Sequence, residues 1–393
     1  MKSKKIAWAG ALVLIGIVTT EFGVIGILPE LAEYYKVSIT TASYLLSAFA
    51  MVVAIAGSLV TAFTGNINRK KLMVIGMTIF LLSTIVSVFA PPFWLLVVVR
   101  MLPAFIQPTL VSIAVAAATA STEPQNRHRM MSIVIGGIAI ATITTIPLTT
   151  YIAGLFDRWE VSYIVASFIS LLAILGVLTI YPNMESTGKK NLASQIGIFK
   201  KPVFVWSSIA AFLAHGTMFT SYSYFANYLN IALHISKLDV GKMLFVFGVA
   251  GVLGNFLTGK ILGKSVTYTM LFFLGGLTIL SFPLVGLQYM QSVYTTYAIV
   301  ALWGFLHMPC FVNAQAYMIE VVTPEAQEFA NSTAISFGNL GIALGTMVSG
   351  WFITLYGSSV IPWVMLGFGI ATMLSMLVRH SYSKKIAVEI KNS

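Results

Sequence analysis

Apolar runs of spanning length recur along the chain, separated by short polar breaks. A membrane-crossing helix needs about 20 mostly apolar residues to traverse ~30 Å of hydrocarbon. With the breaks at charged, Gly, Pro and turn residues, the pattern predicts helices at about 6–28, 41–64, 72–90, 93–118, 131–155 and 160–181. Six more follow at about 203–229, 239–262, 267–287, 291–318, 329–356 and 360–379. The stretch PNMESTGKKNLASQIGIFKKP is the longest polar segment and falls near the midpoint. It predicts an N-terminal six-helix bundle (1–181), a cytoplasmic linker (182–202), a C-terminal six-helix bundle (203–380) and a cytoplasmic tail (381–393).

Composition agrees with an all-α polytopic membrane protein. The 393 residues are 58% hydrophobic and 9% charged, and the mean hydropathy is +0.90. Little is left for a soluble domain. The opening KSKK followed by an apolar run is similar to a signal peptide, but the run reaches Leu28 without a small-residue cleavage site, so it predicts a retained first helix.

The net charge of +11 changes the picture only through its distribution. With cytoplasmic termini, eighteen of the 23 Lys and Arg residues fall on the cytoplasmic side, four outside (Lys36, Arg158, Lys237, Lys242), and Arg100 lies within a helix. Inserting or deleting one helix would scramble that bias, so it predicts twelve spans and a multi-pass protein of the cell membrane. The basic residues are not interleaved with aromatics in a patch, which argues against a nucleic-acid partner. The single cysteine, Cys310, rules out a disulfide framework and a cysteine-based metal site.

The halves carry traces of a repeat. TASTEPQNRHRMMS after helix 4 and EVVTPEAQEFANSTA after helix 10 set Pro124 and Pro324 about 200 residues apart. Gly248, Gly251 and Gly254 in helix 8, and Gly338, Gly341 and Gly345 in helix 11, predict faces for close helix approach.

Candidate chemistry is sparse. Of 12 acidic residues only Glu21, in VTTEFGVIGILPE, lies deep in an apolar helix, and Arg100, in FWLLVVVRMLPAFIQP, is the basic counterpart. Each sits about 7 residues from the same end of its helix, roughly 10 Å deep at 1.5 Å per residue. They can pair if helices 1 and 4 are neighbours. Intramembrane charges are costly and mark functional sites, so Glu21 and Arg100 are the candidate proton-coupling residues, with a permanent helix-locking ion pair as the alternative. Gln107 shares the face of Arg100, with Pro103 and Pro108 loosening the helix. Helix 7 carries His215, Phe219 and Tyr222 at i, i+4, i+7, and helix 10 offers Trp303, His307, Met308, Asn313 and Gln315. With Phe22, these are the candidate substrate contacts. An aromatic and Met-rich lining suits a hydrophobic or amphipathic small molecule. The polar groups Arg100, Gln107, Asn313 and Gln315 suit the alternative, a narrow metabolite exporter for a purine, nucleoside or sugar.

On these residues the chain resembles the major facilitator superfamily, and within it the twelve-helix drug:proton antiporters of the sugar-efflux and purine-efflux branch. The resemblance rests on Thr20-Glu21-Phe22 with GVIGILPELA, on NRKKL at 68–72, on Arg100, and on TTIPLTTYIAGLFDRW at 144–159. It implies two pseudo-symmetric six-helix bundles that rock around a midplane cavity lined by helices 1, 4, 7 and 10, and export driven by protons, with no other cofactor. It also implies conformational roles for Arg69, Lys70 and Pro147. The chain departs from the pattern in three places. TGNINRKK lacks the Asp of the loop 2/3 motif, Thr149 stands where glycine is usual, and Glu160 follows Trp159 where Arg is common. Partners expected are the small-molecule substrate and the lipid bilayer, with the chain acting as a monomer. No HExxH, GxSxG loop or Walker sequence points to an enzyme, and no selectivity-filter pattern points to a channel.

Overall fold

The computed structural model describes residues 2–64, 67–184, 193–290, 292–323 and 327–392. Pro324 and residues 185–192 of the expected linker lie outside them. Among the described residues there is no strand, and twelve helices are long and apolar enough to cross a membrane. Helices 1 to 6 are Ser3–Tyr34, Ile39–Ala56, Arg69–Val88, Phe93–Ala120, Pro124–Phe156 and Glu160–Ile180. Helices 7 to 12 are Pro202–Ala232, Lys237–Ile261, Val266–Met290, Val293–Ile319, Ala330–Tyr356 and Ser358–Ser383. The chain is therefore a twelve-span all-α membrane protein. Helix 2 is helical on to Phe63 and helix 11 from Gln327, Ala193–Lys200 forms a 3₁₀ helix, and helix 12 continues without a break to Asn392.

The chain divides into two compact units, one of residues 1–190 with 234–248 and the other of 191–233 with 249–393. In the first unit helix 1 is the central element. It packs on helix 5 where Gly137 meets the Ala11 backbone, and Gly26 meets Thr150 so closely that a Cβ at either glycine would overlap its neighbour. The first half of helix 8 joins this unit by the same device, Gly241 against the Tyr151 backbone and Gly248 against the Thr142 carbonyl. In the second unit Gly341 and Gly345 of helix 11 lie on the backbone of helix 7 at Phe212 and Gly216. Gly251 and Gly254 of helix 8 lie on helix 10 at Gly304, Phe305 and Met308.

Candidate functional site

Three helices of the first unit are irregular at one level, and the sequence explains each. Helix 1 is α-helical over Lys2–Phe22, tightens to 3₁₀ over Gly23–Ile27 and resumes as Leu28–Tyr34. Pro29 supplies no N–H and its ring crowds the carbonyl four residues back, while Gly23 and Gly26 permit the tight turn. Helix 4 is α-helical over Phe93–Met101, 3₁₀ over Pro103–Phe105 and α-helical again over Gln107–Ala120, broken by Pro103 and Pro108. Helix 5 has a π segment, Ala141–Thr145, just before Pro147. Broken helices leave backbone groups and dipole ends inside the bundle, where they can bind polar partners.

The two deep charges sit at these breaks but do not pair with each other. Arg100, 1% exposed, donates from Nη2 to the Thr20 backbone carbonyl at 2.8 Å. Glu21, 3% exposed, instead accepts from Gln107 Nε2 at 2.7 Å. The reason lies in the first helix break. A carbonyl at the C-terminal end of Lys2–Phe22 carries partial negative charge and lacks its full helical partners, so it attracts the guanidinium. Gln107, the first residue after the break in helix 4, is left to hold the carboxylate. Around this pair of contacts, Arg100 Nε and Nη1, Gln107 Oε1 and Thr20 Oγ1 are buried with no protein partner at hydrogen-bonding distance. Four such atoms on three neighbouring side chains leave the site chemically unsaturated. Thr19 and Thr145 hydroxyls hydrogen-bond across to the π segment, and half-buried Phe22 packs on Val18, Ala141 and Ile146.

The motif residues also make defined contacts. Lys70 Nζ donates to the carbonyls of Leu178 at 2.9 Å and Tyr181 at 2.7 Å, a cation on the C-terminal end of helix 6. The Arg69 amide donates to the Met184 carbonyl at 3.2 Å. Asn68 caps helix 3 by accepting from the Lys71 amide at 3.1 Å. Thr149, in place of the usual glycine, faces Gly23, where a Cβ would meet its hydroxyl in ordinary van der Waals contact at 3.6 Å. The small residue of that contact is thus on helix 1.

In the second unit, helices 7 and 10 bring five predicted side chains into one aromatic cluster. His215 meets Phe311 at 5.3 Å between ring centroids, Phe219 meets Tyr222 at 5.7 Å and His307 at 5.9 Å, and Tyr222 meets His307 at 4.9 Å. Phe225 joins Trp303 to the group at 5.1 Å. The His215 ring nitrogen Nδ1 donates to the Ala211 carbonyl at 2.8 Å. Phe225 and Phe311 were missed in the sequence, although each continues a predicted stripe, three residues after Tyr222 and four after His307. Two other candidates point elsewhere. Met308 packs against Gly251 of helix 8, and Gln315 hydrogen-bonds Asn331 of helix 11. Asn313 is completely buried with both amide atoms unpartnered, one helical turn from Tyr317.

A second charge cluster had no clear sequence signal. Arg379, which the charge pattern assigned to the cytoplasmic end of helix 12, is 7% exposed and contacts Glu320 Oε1 at 2.6 Å. Both residues lie at predicted helix ends 59 positions apart, so only the tertiary structure pairs them.

Comparison with known proteins fits this architecture. The sequence model of the Major Facilitator Superfamily matches residues 10–346. An uncharacterized MFS-type transporter, YfhI of Bacillus subtilis (strain 168), is 26% identical over 378 residues, covering 94% of this chain and 92% of the relative. A probable sugar efflux transporter of Helicobacter pylori (strain ATCC 700392 / 26695) is 25% identical over 350 residues, covering 89% of this chain and 86% of the relative. Among solved structures, the nucleoside transporter NupG superposes with a TM-score of 0.73 at 13% identity, covering 98% of this chain and 100% of that one. That likeness speaks to fold alone. Twelve spans, irregular helices around buried charges and a match over most of the length agree: the chain belongs to the major facilitator superfamily, a family of transporters and not of enzymes.

Proposed function

We propose that the chain is a proton-coupled exporter working by alternating access in a cell membrane, with both termini cytoplasmic. The observation that carries this reading is Glu21, a buried carboxylate held by a neutral amide and not by the nearby arginine. A direct ion pair with Arg100 would favour one protonation state and lock two helices together. Held by Gln107 beside unsaturated polar atoms, the carboxyl is free to gain a proton when the site faces one side and lose it on the other. Neutralising it also lowers the cost of carrying the site through a closed state.

The aromatic cluster of the second unit supports a hydrophobic or amphipathic small-molecule substrate, because flat rings offer large apolar contact with few polar demands. A narrower metabolite exporter, for a purine, nucleoside or sugar, is favoured by a different observation. Asn313 buries a donor and an acceptor that no protein group satisfies, and relatives include proteins named probable sugar efflux transporters.

The test of coupling is Glu21→Gln in proteoliposomes under an imposed pH gradient. Gradient-driven efflux is expected to vanish while substrate binding persists, and normal pumping by the variant would sink the assignment. A thermal-shift competition panel of lipophilic drugs, purines, nucleosides and sugars decides between the two substrate readings.

A further inference from the structure

One end of the first unit, which carries the loops between helices 1 and 2, 3 and 4, and 5 and 6, holds a file of aromatic side chains outside the site described above. The Arg100 guanidinium carbon lies 5.3 Å from the centroid of the Tyr163 ring. Tyr163 meets Trp159 edge-on at 5.8 Å, and Trp159 meets Tyr34 at 5.2 Å and Tyr35 at 5.9 Å. Tyr34 is 53% exposed, Trp159 4% and Tyr163 3%. Ring contacts therefore run unbroken from the surface to the deep arginine. The depths agree, since Arg100 is seven residues beyond the start of helix 4, about 10 Å, and Tyr163 three beyond the start of helix 6, about 5 Å.

Aromatic residues at a membrane boundary are expected, because their rings suit the interface and their polar tips reach water. Here the tips turn inward. Tyr35 Oη and Trp159 Nε1 are buried without a protein hydrogen-bond partner, and Tyr163 Oη has the Arg100 guanidinium as its one close polar neighbour. Glu30 Oε2, near the mouth, is likewise buried without a partner. Leaving such an atom unsatisfied is costly. Isolated cases occur in most proteins, but several of them on side chains in ring contact with one another are what ordered water can satisfy.

We propose that this file is a hydrated proton-access route from the surface at Tyr34 to the Arg100, Gln107 and Glu21 site, separate from the path taken by substrate. Its ligand is water, and its cargo a proton passed from water to water. The proton enters at the mouth and ends on the Glu21 carboxylate, with no other bond changed. Burial, with Tyr163, Tyr34 and Glu160 nearby, raises the Tyr35 phenol above its ordinary value, so this hydroxyl stays neutral and can both donate and accept. A guanidinium beside a water file would by itself oppose a proton. Here the charge of Arg100 is offset by Glu21, the residue next to the carbonyl that anchors it. At the mouth, Asp157, Glu30 and Glu33 face Lys237, and Glu160 faces Arg158.

The inference rests on the proton-coupling reading, and two measurements separate their failures. Hydroxyl-radical footprinting of the purified full chain, read by mass spectrometry, needs no substrate. Trp159 and Tyr163 are expected to oxidise at least about tenfold faster than Phe80, which is equally buried but has no polar neighbour in the file. Oxidation of both at the Phe80 rate overturns the route. The second measurement uses Tyr35→Phe with Tyr163→Phe, which keep the rings, in ethidium-loaded proteoliposomes. Gradient-driven efflux is expected to slow about fivefold or more, the equivalent of one lost hydrogen bond, while ethidium counterflow stays within about twofold. Unchanged gradient-driven efflux in the variant overturns the proton role of the file. A wild type that carries ethidium in counterflow but shows no gradient-driven efflux of it overturns the coupling reading itself, whatever the footprint shows.

Discussion

Replacing Arg379 with Met removes a cation that ties helix 12 to three other helices of the second unit. Its Nε donates to Ser207 Oγ at 3.2 Å, Nη1 to Thr267 Oγ1 at 3.2 Å and Nη2 to Glu320 Oε1 at 2.6 Å. Its guanidinium carbon also sits 3.9 Å from the centroid of the Tyr317 ring. Losing one member of a fully buried ion pair typically costs 3–5 kcal/mol because the other charge is stranded. That figure is too high here, since the Glu320 side chain is 30% exposed and keeps water when the arginine leaves. The two hydroxyl acceptors account for about 1 kcal/mol each, the desolvated ring contact for about 1 and the half-wet ion pair for less than about 1. Methionine recovers some packing of the arginine stem. The expected loss is about 3 kcal/mol, a fall of roughly 6–12 °C in apparent melting temperature for a unit of this size. Scanning fluorimetry in detergent measures it. Glu320→Gln keeps an oxygen acceptor and is expected to cost under about 1 kcal/mol. If Glu320→Gln destabilises as much as Arg379→Met, the ion pair dominates and the apportioning is wrong. An unchanged melting temperature for Arg379→Met would show the cluster to be energetically idle.

Other predictions concern the first unit. Gly26→Ala places a methyl inside the Thr150 side chain, so it should cost about 1–3 kcal/mol, and adding Thr150→Ala should restore part of the loss in a double-mutant cycle. Lys70→Met uncaps the C-terminal end of helix 6 and should lower stability by about 1–2 kcal/mol, whereas Lys70→Arg should retain most of it in the same fluorimetric assay. The Lys237 ammonium, 2.9 Å away, holds the Asp157 carboxyl below its ordinary value. A depressed carboxylate contributes above its unfolded value and loses that contribution as pH falls through its folded value. Wild type and Asp157→Asn should therefore differ slightly at neutral pH, converge in acid, and differ less in high salt. A gap that widens in acid would contradict the pairing.

The twelve helices were legible because spanning length and charge bias are properties of local sequence. The ends differ by a few residues, mostly where helices run past the apolar window, as helix 1 does to Tyr34 and helix 5 does from Pro124. The depth argument for Glu21 and Arg100 also held, in that both side chains reach the same level. What depth could not reveal was the partner. It counts rise along a straight helix, and both helices break at that level, which exposes the Thr20 carbonyl to the arginine and delivers Gln107 to the carboxylate. The aromatic stripes of helices 7 and 10 were readable from i, i+4 spacing, whereas Met308 and Gln315 were not separable from them, since neighbours on helices 8 and 11 decide their contacts. The Arg379–Glu320 cluster was hidden for the same reason.

The prolines and glycines that produce these breaks link the sequence to the mechanism. An unbroken helix satisfies its own backbone and gives a buried arginine nothing to bind except a carboxylate, so a Glu21 and Arg100 pair on two straight helices would have closed on itself. Breaking helix 1 with Gly23, Gly26 and Pro29 offers the arginine a neutral anchor. Breaking helix 4 with Pro103 and Pro108 turns Gln107 toward Glu21 and leaves its Oε1 without a partner. The acid is thereby kept in the membrane without being committed to a permanent counter-charge, which is the condition a group must meet to change its charge during a transport cycle. Restoring either helix, for instance by Pro103→Ala with Pro108→Ala, should push the arginine and the acid toward direct pairing. The result to look for is a protein of equal or higher melting temperature that has lost gradient-driven efflux. Retention of full efflux in that variant would separate the breaks from the coupling and leave them a packing feature.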